Sequence, residues 1–185
     1  VQSIFDMLQE KAPFELQLGF DNAGFLVGRG ERQVQKILVA LDPFEDVARE
    51  ATDWGAELIV THHPLFFRPA RNLTDETGVG RTALLLAANG ISAINAHTNL
   101  DCAPGGVNDC LAVGLENIRI ITPSGVTEEG REWGLLRMGT VPEQSLDAFL
   151  STVKTALHCP GLRYAQGGKS VHRVAVGGGA CADEM

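Results

Sequence analysis

The sequence lacks a long apolar run and a basic N-terminal leader. No segment approaches the roughly 20 consecutive apolar residues that a membrane-spanning helix needs. The first residues, VQSIFDMLQEKAP, carry acidic side chains where a secretory signal peptide carries basic ones, and they lack its apolar centre. From these absences we expect a soluble, cytoplasmic protein with no membrane partner.

Cysteines are few, and their spacing fits no common metal motif. The chain of 185 residues has four of them, with no C-x-x-C pair: Cys102, Cys110, Cys159 and Cys181. A chain of this length, 44% hydrophobic, can bury a core without disulfide bonds. We therefore interpret the cysteines as reduced thiols.

Basic residues are also fewer than acidic ones. Fifteen Lys and Arg stand against 23 Asp and Glu, which gives a formal net charge of −8. Nucleic acids and anionic membranes are themselves polyanions, so this balance argues against a protein that binds them nonspecifically. A small-molecule substrate remains compatible with it.

Short apolar runs alternate with amphipathic segments through the first two thirds of the chain. After an amphipathic segment at 3–10 and a loop-like stretch at 19–31, the pattern predicts strands at 36–42, 57–63, 91–98 and 117–123, with helices at 44–54, 77–90 and 105–116. Such alternation is typical of an α/β fold with a largely parallel or mixed sheet covered by helices on both faces.

The pattern changes near the polar stretch 126–134. Beyond it we predict a strand at 133–141, a helix at 145–157 and strands at 161–166 and 171–179. We therefore expect two α/β lobes, residues 1–126 and residues 127–185. The second lobe stops where a helix should begin, so we expect it to be truncated.

Polar side chains collect where the predicted strands of the first lobe end. Asp42 follows one strand, His62 and His63 end the next, and His97, Asn99 and Asp101 follow the third. Ligands of open parallel sheets bind at the carboxyl ends of the strands. Capping signals around Asp42, namely Pro43 and Glu45, favour a helix cap over a ligand for that residue. Asp21 and Asn22 either shape a pocket edge or form an Asx turn.

The adjacent pair His62 and His63 suggests two metal ions. Neighbouring strand residues point to opposite faces, so we expect the two imidazoles to splay and to hold one ion each. Asp101 is the best carboxylate to bridge them. Paired ions about 3.5–4 Å apart are typical of hydrolases. His97 is open to three roles, as a ligand, as a proton shuttle or as a group that orients Asp101.

Three motifs together resemble one known family. DNAGFLVG (21–28), LIVTHHPLFF (58–67) and HTNLDCAPGGVND (97–109) are similar to motifs of the dinuclear-metal family of NGG-one interacting factor three, the GTP cyclohydrolase I type 2 homologues, in its compact form. The resemblance implies two α/β lobes with the metal pair in the cleft between them. It further implies that His62, His63 and Asp101 are ligands, that His97 lies beside the site, and that the chain forms a homo-oligomer, usually a toroidal hexamer.

One part of the family pattern has no counterpart in this sequence. Family members supply a further histidine and a bridging glutamate, four residues apart, near their C-terminus. Here His172 and Glu184 stand in a different context. We expect these ligands to lie beyond Met185.

The favoured hypothesis is a metal-dependent hydrolase that acts on a nucleotide or another phosphorylated small molecule; ring opening of GTP is the activity that the family name asserts. It would use two divalent ions (zinc, iron, manganese or nickel), with His97 as a catalytic proton relay. Phe66 and Asn99 are candidate substrate-binding residues, although core or interface packing explains Phe66 equally well. The alternative hypothesis is a non-catalytic metal-binding scaffold or regulator that acts through protein contacts.

Overall fold

The computed structural model describes residues 1–121, 123–128 and 130–181, and the chain divides into two compact units. The first unit runs from Val1 to Gly106 and the second begins at Val107. The sequence places the lobe boundary later, after residue 126. Within the described ranges, no helix has the length and apolar character needed to cross a bilayer.

The first unit has a four-stranded mixed sheet. Its elements are α1 (Gln2–Lys11), a short 3-10 helix (Phe14–Leu16), β1 (Gly24–Val27), β2 (Ile37–Ala40), α2 (Glu45–Trp54), β3 (Leu58–Thr61), α3 (Gly78–Ala88), β4 (Ser92–Asn95) and α4 (Thr98–Cys102). The strand order is β1-β4-β3-β2. Strands β2, β3 and β4 are parallel, and β1 is antiparallel to β4. The predicted α/β class with a mixed sheet is therefore confirmed.

Apolar side chains cover both faces of this sheet. On one face Ile59 and Ala93 pack with residues of α2 and α3, including Ala51 and Leu86. On the other face Leu58 and Ile94 pack with α1 and the 3-10 helix. Burial on both faces explains why β3 is a nearly continuous apolar run and why all four residues of β4 are buried.

The second unit is built on antiparallel strands. Its elements are α5 (Val107–Leu111), β5 (Glu116–Ile120), β6 (Gly125–Val126), β7 (Glu132–Trp133), β8 (Arg137–Gln144), α6 (Leu146–Ala156) and β9 (Val171–Val176). A three-stranded sheet has the order β5-β8-β9, and β6 and β7 form a separate hairpin. Buried Arg137 and the Asp109 carboxylate form an ion pair within this unit.

Three expectations about the elements were wrong. The strand predicted at 117–123 is β5, which does not extend the parallel sheet but pairs antiparallel with β8 and is mostly exposed. The segment 161–166 is not a strand; it is largely exposed and Tyr164 faces solvent. The stretch 19–31, expected to be a loop, contains β1. Glycines at 24 and 28 resemble loop signals, but Gly28 is needed because a Cβ there would lie 2.2 Å from Ser92 Oγ.

Candidate metal centre

The register of the parallel strands brings the candidate residues to one edge of the first sheet. Ala40, Thr61 and Asn95 are aligned across β2, β3 and β4. Backbone hydrogen bonds continue past the strand ends, from His62 N to Ala40 O at 3.3 Å and from His63 N to Leu41 O at 3.0 Å. The segments that follow the three strands therefore start side by side.

Three imidazole rings meet at this edge. The ring centroids of His62 and His63 are 5.1 Å apart, and that of His97 is 5.1 Å from the first and 5.4 Å from the second. One nitrogen from each ring lies within 4.8 Å of the others. The expected splaying of His62 and His63 is wrong, because both residues follow the last residue of β3 and are not bound by the alternation of a strand.

Each of the three rings has its Nδ1 engaged by an oxygen. His62 Nδ1 lies 2.9 Å from Ala96 O, which can only accept, so this nitrogen carries the proton. His63 Nδ1 is 2.6 Å from Asp42 Oδ1, and His97 Nδ1 is 2.8 Å from Asp21 Oδ1. By elimination, Nε2 is the nitrogen left for an ion or a substrate in all three residues. Metal-binding histidines typically show this arrangement of outer acceptors.

Asp101 supplies the carboxylate beside the histidines. It lies on α4 and is buried, and its Oδ1 is 3.7 Å from His62 Nε2. Burial raises the pKa of this carboxyl above its ordinary value, and the electrostatic influence of neighbouring His62 offsets part of that effect. A divalent cation would favour the ionised form. Three imidazoles and one carboxylate are a donor set that fits zinc, iron, manganese or nickel.

Asp21 is the hydrogen-bond partner of His97, a role that the sequence did not predict. Its side chain is fully buried and accepts hydrogen bonds from His97, from the Thr98 hydroxyl and from the backbone N–H groups of Asn22 and Thr98. Burial alone would raise the pKa of Asp21, but these hydrogen bonds lower it from 3.8 to about 2. Asp21 is therefore a fixed negative charge behind His97. No local signal links two residues so far apart in sequence.

The interpretation of Asp42 as a helix cap is wrong. Helix α2 begins at Glu45, its N-cap is Phe44, and no side chain in the described part of the chain forms a capping hydrogen bond to it. The Asp42 carboxylate instead binds His63. Its position after β2, at the same sheet edge as the histidine pair, was the signal that could have found this role.

The two candidate substrate-binding residues lie in different surroundings. Asn99 is fully buried; its Oδ1 accepts from His97 N at 2.8 Å, and its Nδ2 donates to Ala12 O at 2.7 Å. Phe66 is partly buried and packs against the core of the first unit. The ring that reaches the histidines is Phe67, whose centroid is 6.3 Å from that of His97 and 6.1 Å from that of Phe20.

The C-terminal histidine and glutamate of the family pattern have no described counterpart at this site. His172 lies on β9 of the second unit, where its Nδ1 is 2.7 Å from Val141 O. Glu184, and the helix expected to start near it, lie outside the described residues. All the groups gathered at the sheet edge belong to the first unit.

Comparison with known sequences agrees with the motifs. A Clostridium perfringens protein named GTP cyclohydrolase 1 type 2 homolog is 40% identical over 170 residues, which cover 89% of this chain and 63% of that protein. A Clostridium acetobutylicum protein of the same name is 30% identical over 187 residues, which cover 99% of this chain and 69% of the relative. The chain thus spans less than two thirds of the first relative.

Solved structures show the same fold. Protein SA1388 of Staphylococcus aureus matches with a TM-score of 0.84 and 28% identity over 98% of this chain and 73% of its own. Reduced HcgD from Methanocaldococcus jannaschii matches with a TM-score of 0.68 and 33% identity over 83% of this chain and 58% of its own. The sequence model described as Duf34/NIF3 (NGG1p interacting factor 3) matches residues 1–185. With its motifs, its fold and its relatives in agreement, the chain belongs to the Duf34/NIF3 family.

Proposed function

We propose that the protein is a metal-dependent hydrolase that binds two divalent ions and acts on a nucleotide or another phosphorylated small molecule. The observation that carries this proposal is the convergence of three imidazoles, each fixed through Nδ1, beside the buried carboxylate of Asp101. A structural site would use these donors to close a coordination shell. Here side chains of His62 and His63 stay partly exposed, which leaves access for a substrate.

The proposed roles of His62, His63 and Asp101 follow from their positions at the sheet edge. His62 and His63 would each offer Nε2 to an ion, and Asp101 would offer its carboxylate. Bound divalent ions supply Lewis-acid activation of a phosphoryl oxygen and of water. The Asp42 carboxylate holds the ring of His63 at one orientation, so little rotational freedom is lost when His63 binds an ion.

His97 is suited to move a proton in this proposal. The hydrogen bond from Nδ1 to Asp21 fixes the ring of His97 and leaves Nε2 to accept and return a proton. A third imidazole ligand would use the same nitrogen. Replacing His97 by Gln separates the two roles: a proton relay predicts unchanged metal content and a lower kcat, whereas a ligand predicts loss of metal.

The names of the relatives favour a nucleotide as the substrate. The Clostridium proteins are named as homologues of GTP cyclohydrolase 1 type 2, and this supports ring opening of GTP as one reaction to examine. The chain covers 63% of the first of these relatives and 69% of the second, and the proposal for this chain rests on that shared part.

The decisive experiment is elemental analysis of the purified protein beside Asp101→Asn and His62→Ala variants. Two equivalents of a divalent metal per chain, reduced in both variants, together with hydrolysis of a nucleotide or phosphoester, would support the proposal. An Asp53→Asn variant, which alters an exposed carboxylate of α2, is the control and should keep its metal. Absence of metal after reconstitution would contradict the proposal and favour the scaffold alternative.

We also propose a cytoplasmic homo-oligomer, by resemblance a toroidal hexamer. Edge strand β2 supports self-association, because Val39 is 76% exposed and Leu41, just beyond the strand, is 61% exposed. Exposed apolar residues on an edge strand favour pairing with another chain. Light scattering coupled to gel filtration should give a mass about six times that of the chain, and a monomer would contradict this part of the proposal.

A further inference from the structure

A cavity of about 410 Å³ opens beside the metal centre. It lies between the first turns of α2 and α3, and His63 and Asp42 form the wall that it shares with the histidine cluster. Its size falls in the range of small-molecule sites. The cavity is therefore placed to receive the part of a ligand that extends away from His63.

Most of the remaining wall is apolar. Phe44, Pro64, Leu65 and Val79 contribute hydrocarbon surface, and Phe44 and Val79 are themselves exposed. Exposed apolar side chains that share a concave surface commonly mark a binding site. A planar or apolar group placed here would remove both its own surface and that of these side chains from water.

The charges of the wall disfavour an anion. Asp42 and Glu45 contribute carboxylates. Arg81 is the cation, but its Nε donates to Glu45 Oε2 at 2.8 Å and its Nη1 donates to Asp75 O at 3.0 Å. Hydrogen bonds from Arg81 and Arg49 lower the pKa of Glu45, so its carboxylate is ionised at neutral pH. A phosphate would be repelled from the cavity, whereas a neutral organic group would not.

We propose that this cavity is the subsite for a neutral aromatic or apolar group of a phosphoester whose phosphate lies at the histidine cluster. The inference rests on the proposed function and adds a specificity to it. Val79 is its main determinant, because it lies in the first turn of α3 and faces the cavity without belonging to the metal centre. The protein would then prefer aromatic phosphoesters to those of small polyols.

The test compares two ligands that share a phosphate, 1-naphthyl phosphate and glycerol 2-phosphate. Their dissociation constants are measured by calorimetry on the zinc-loaded protein, and hydrolysis is followed in parallel. We expect the naphthyl ester to bind about tenfold more tightly, which corresponds to about 1.4 kcal/mol. Val79→Glu should abolish most of this preference.

The substitution is chosen so that folding is preserved. Val79 is 45% exposed, and an acidic side chain in the first turn of a helix interacts favourably with the helix dipole. Leu84→Glu is the matched control, since Leu84 lies on the same helix, is 42% exposed and does not line the cavity. It should retain the full preference for the naphthyl ester.

The outcomes separate this inference from the proposed function. Equal binding of the two esters, or a preference that survives Val79→Glu, would overturn the subsite even if both esters are hydrolysed. Preferential binding of the naphthyl ester that Val79→Glu removes, without hydrolysis of either ester, would uphold the subsite and contradict the hydrolase.

Discussion

His63 donates a hydrogen bond from Nδ1 to Asp42 Oδ1 over 2.6 Å. The two residues follow adjacent parallel strands, β2 and β3, which are in register at Ala40 and Thr61. A carboxylate in this position fixes the tautomer of the imidazole and makes Nε2 a better electron-pair donor. Asp42 is thus part of the candidate metal centre without being one of its proposed ligands.

Removal of this carboxylate should weaken metal binding. We expect Asp42→Ala to lower the affinity for zinc about 10- to 100-fold, the range found when an outer partner of a metal-binding histidine is lost. Asp42→Asn should recover part of the affinity, because its amide oxygen can still accept the hydrogen bond. Competition with a chelating dye measures both variants.

The control for Asp42 is Asp53→Ala, which removes an exposed carboxylate of α2. In the metal-free state, the unfolding temperatures of Asp42→Ala and Asp53→Ala should differ from that of the unmodified protein by similar, small amounts. A zinc affinity that is the same in Asp42→Ala and in the control would contradict a role for Asp42 in orienting His63.

Asp101→Asn should change stability and metal binding in opposite directions. Burial raises the pKa of Asp101 in the folded protein above its unfolded value. The stability that this group contributes is therefore full below the unfolded pKa and is lost as the pH rises through the folded pKa. At pH 7, well above the unfolded pKa, the buried carboxyl of Asp101 therefore costs the metal-free protein stability, and asparagine relieves that cost.

Urea unfolding of the metal-free proteins and elemental analysis of the loaded ones check this prediction. At pH 7 we expect Asp101→Asn to unfold at a higher urea concentration than the unmodified protein and to carry less metal. The gain should shrink as the pH falls towards about 4 and be absent below it, where the carboxyl is protonated in both the folded and the unfolded protein. A variant that is destabilised at pH 7 and keeps its metal would contradict both halves of the prediction.

The sequence was sufficient to predict the histidine cluster because strand ends obey a simple geometric rule. His62, His63, His97 and Asp101 each follow an apolar run, and the carboxyl ends of parallel strands share one edge of a sheet. Glycine and apolar signals also located α2, α3 and the strands between them. These are local patterns that a single sequence contains.

The contact between Asp21 and His97 required tertiary information. Asp21 reaches His97 from a loop before β1, and no residue near it in sequence indicates this contact. For Asp42, the neighbouring Pro43 and Glu45 favoured a helix cap, which is not the role that the structure shows. The position of β5 was missed for a similar reason, since its apolar pattern does not specify which strand it pairs with.

Asp21 should make the free energy of unfolding depend on pH in the acid range. Its folded pKa of about 2 lies below its ordinary 3.8. A depressed pKa contributes stability above the unfolded value, and this contribution is lost as the pH falls from about 4 towards 2. The full contribution is about 2 kcal/mol, from the conversion of pKa differences into free energy.

Urea unfolding at several pH values, with and without Asp21→Asn, measures this contribution. We expect the unmodified protein to exceed the variant most above pH 4, with the difference decreasing towards pH 2. Asp53→Asn, at an exposed site, should show no comparable trend. A constant difference between pH 6 and pH 2.5 would mean that Asp21 contributes through packing and not through its charge.

Gly106 should be required for the turn that follows the helix of Asp101. A Cβ at this position would lie 1.9 Å from the Leu100 carbonyl oxygen and 2.9 Å from that of Ala103, and backbone atoms cannot yield as a flexible side chain can. Gly106→Ala should therefore displace α4, lower the free energy of unfolding by about 2 kcal/mol and reduce the metal content.

Gly19→Ala is the matched control, because among the described residues no atom lies within 4 Å of a Cβ placed there. Urea unfolding and elemental analysis of the two variants should differ clearly, with the control close to the unmodified protein. Unchanged metal content in a destabilised Gly106→Ala would show that the turn supports folding alone. Unchanged stability and metal content would show that the chain accommodates a methyl group here, contrary to the close approach of Leu100.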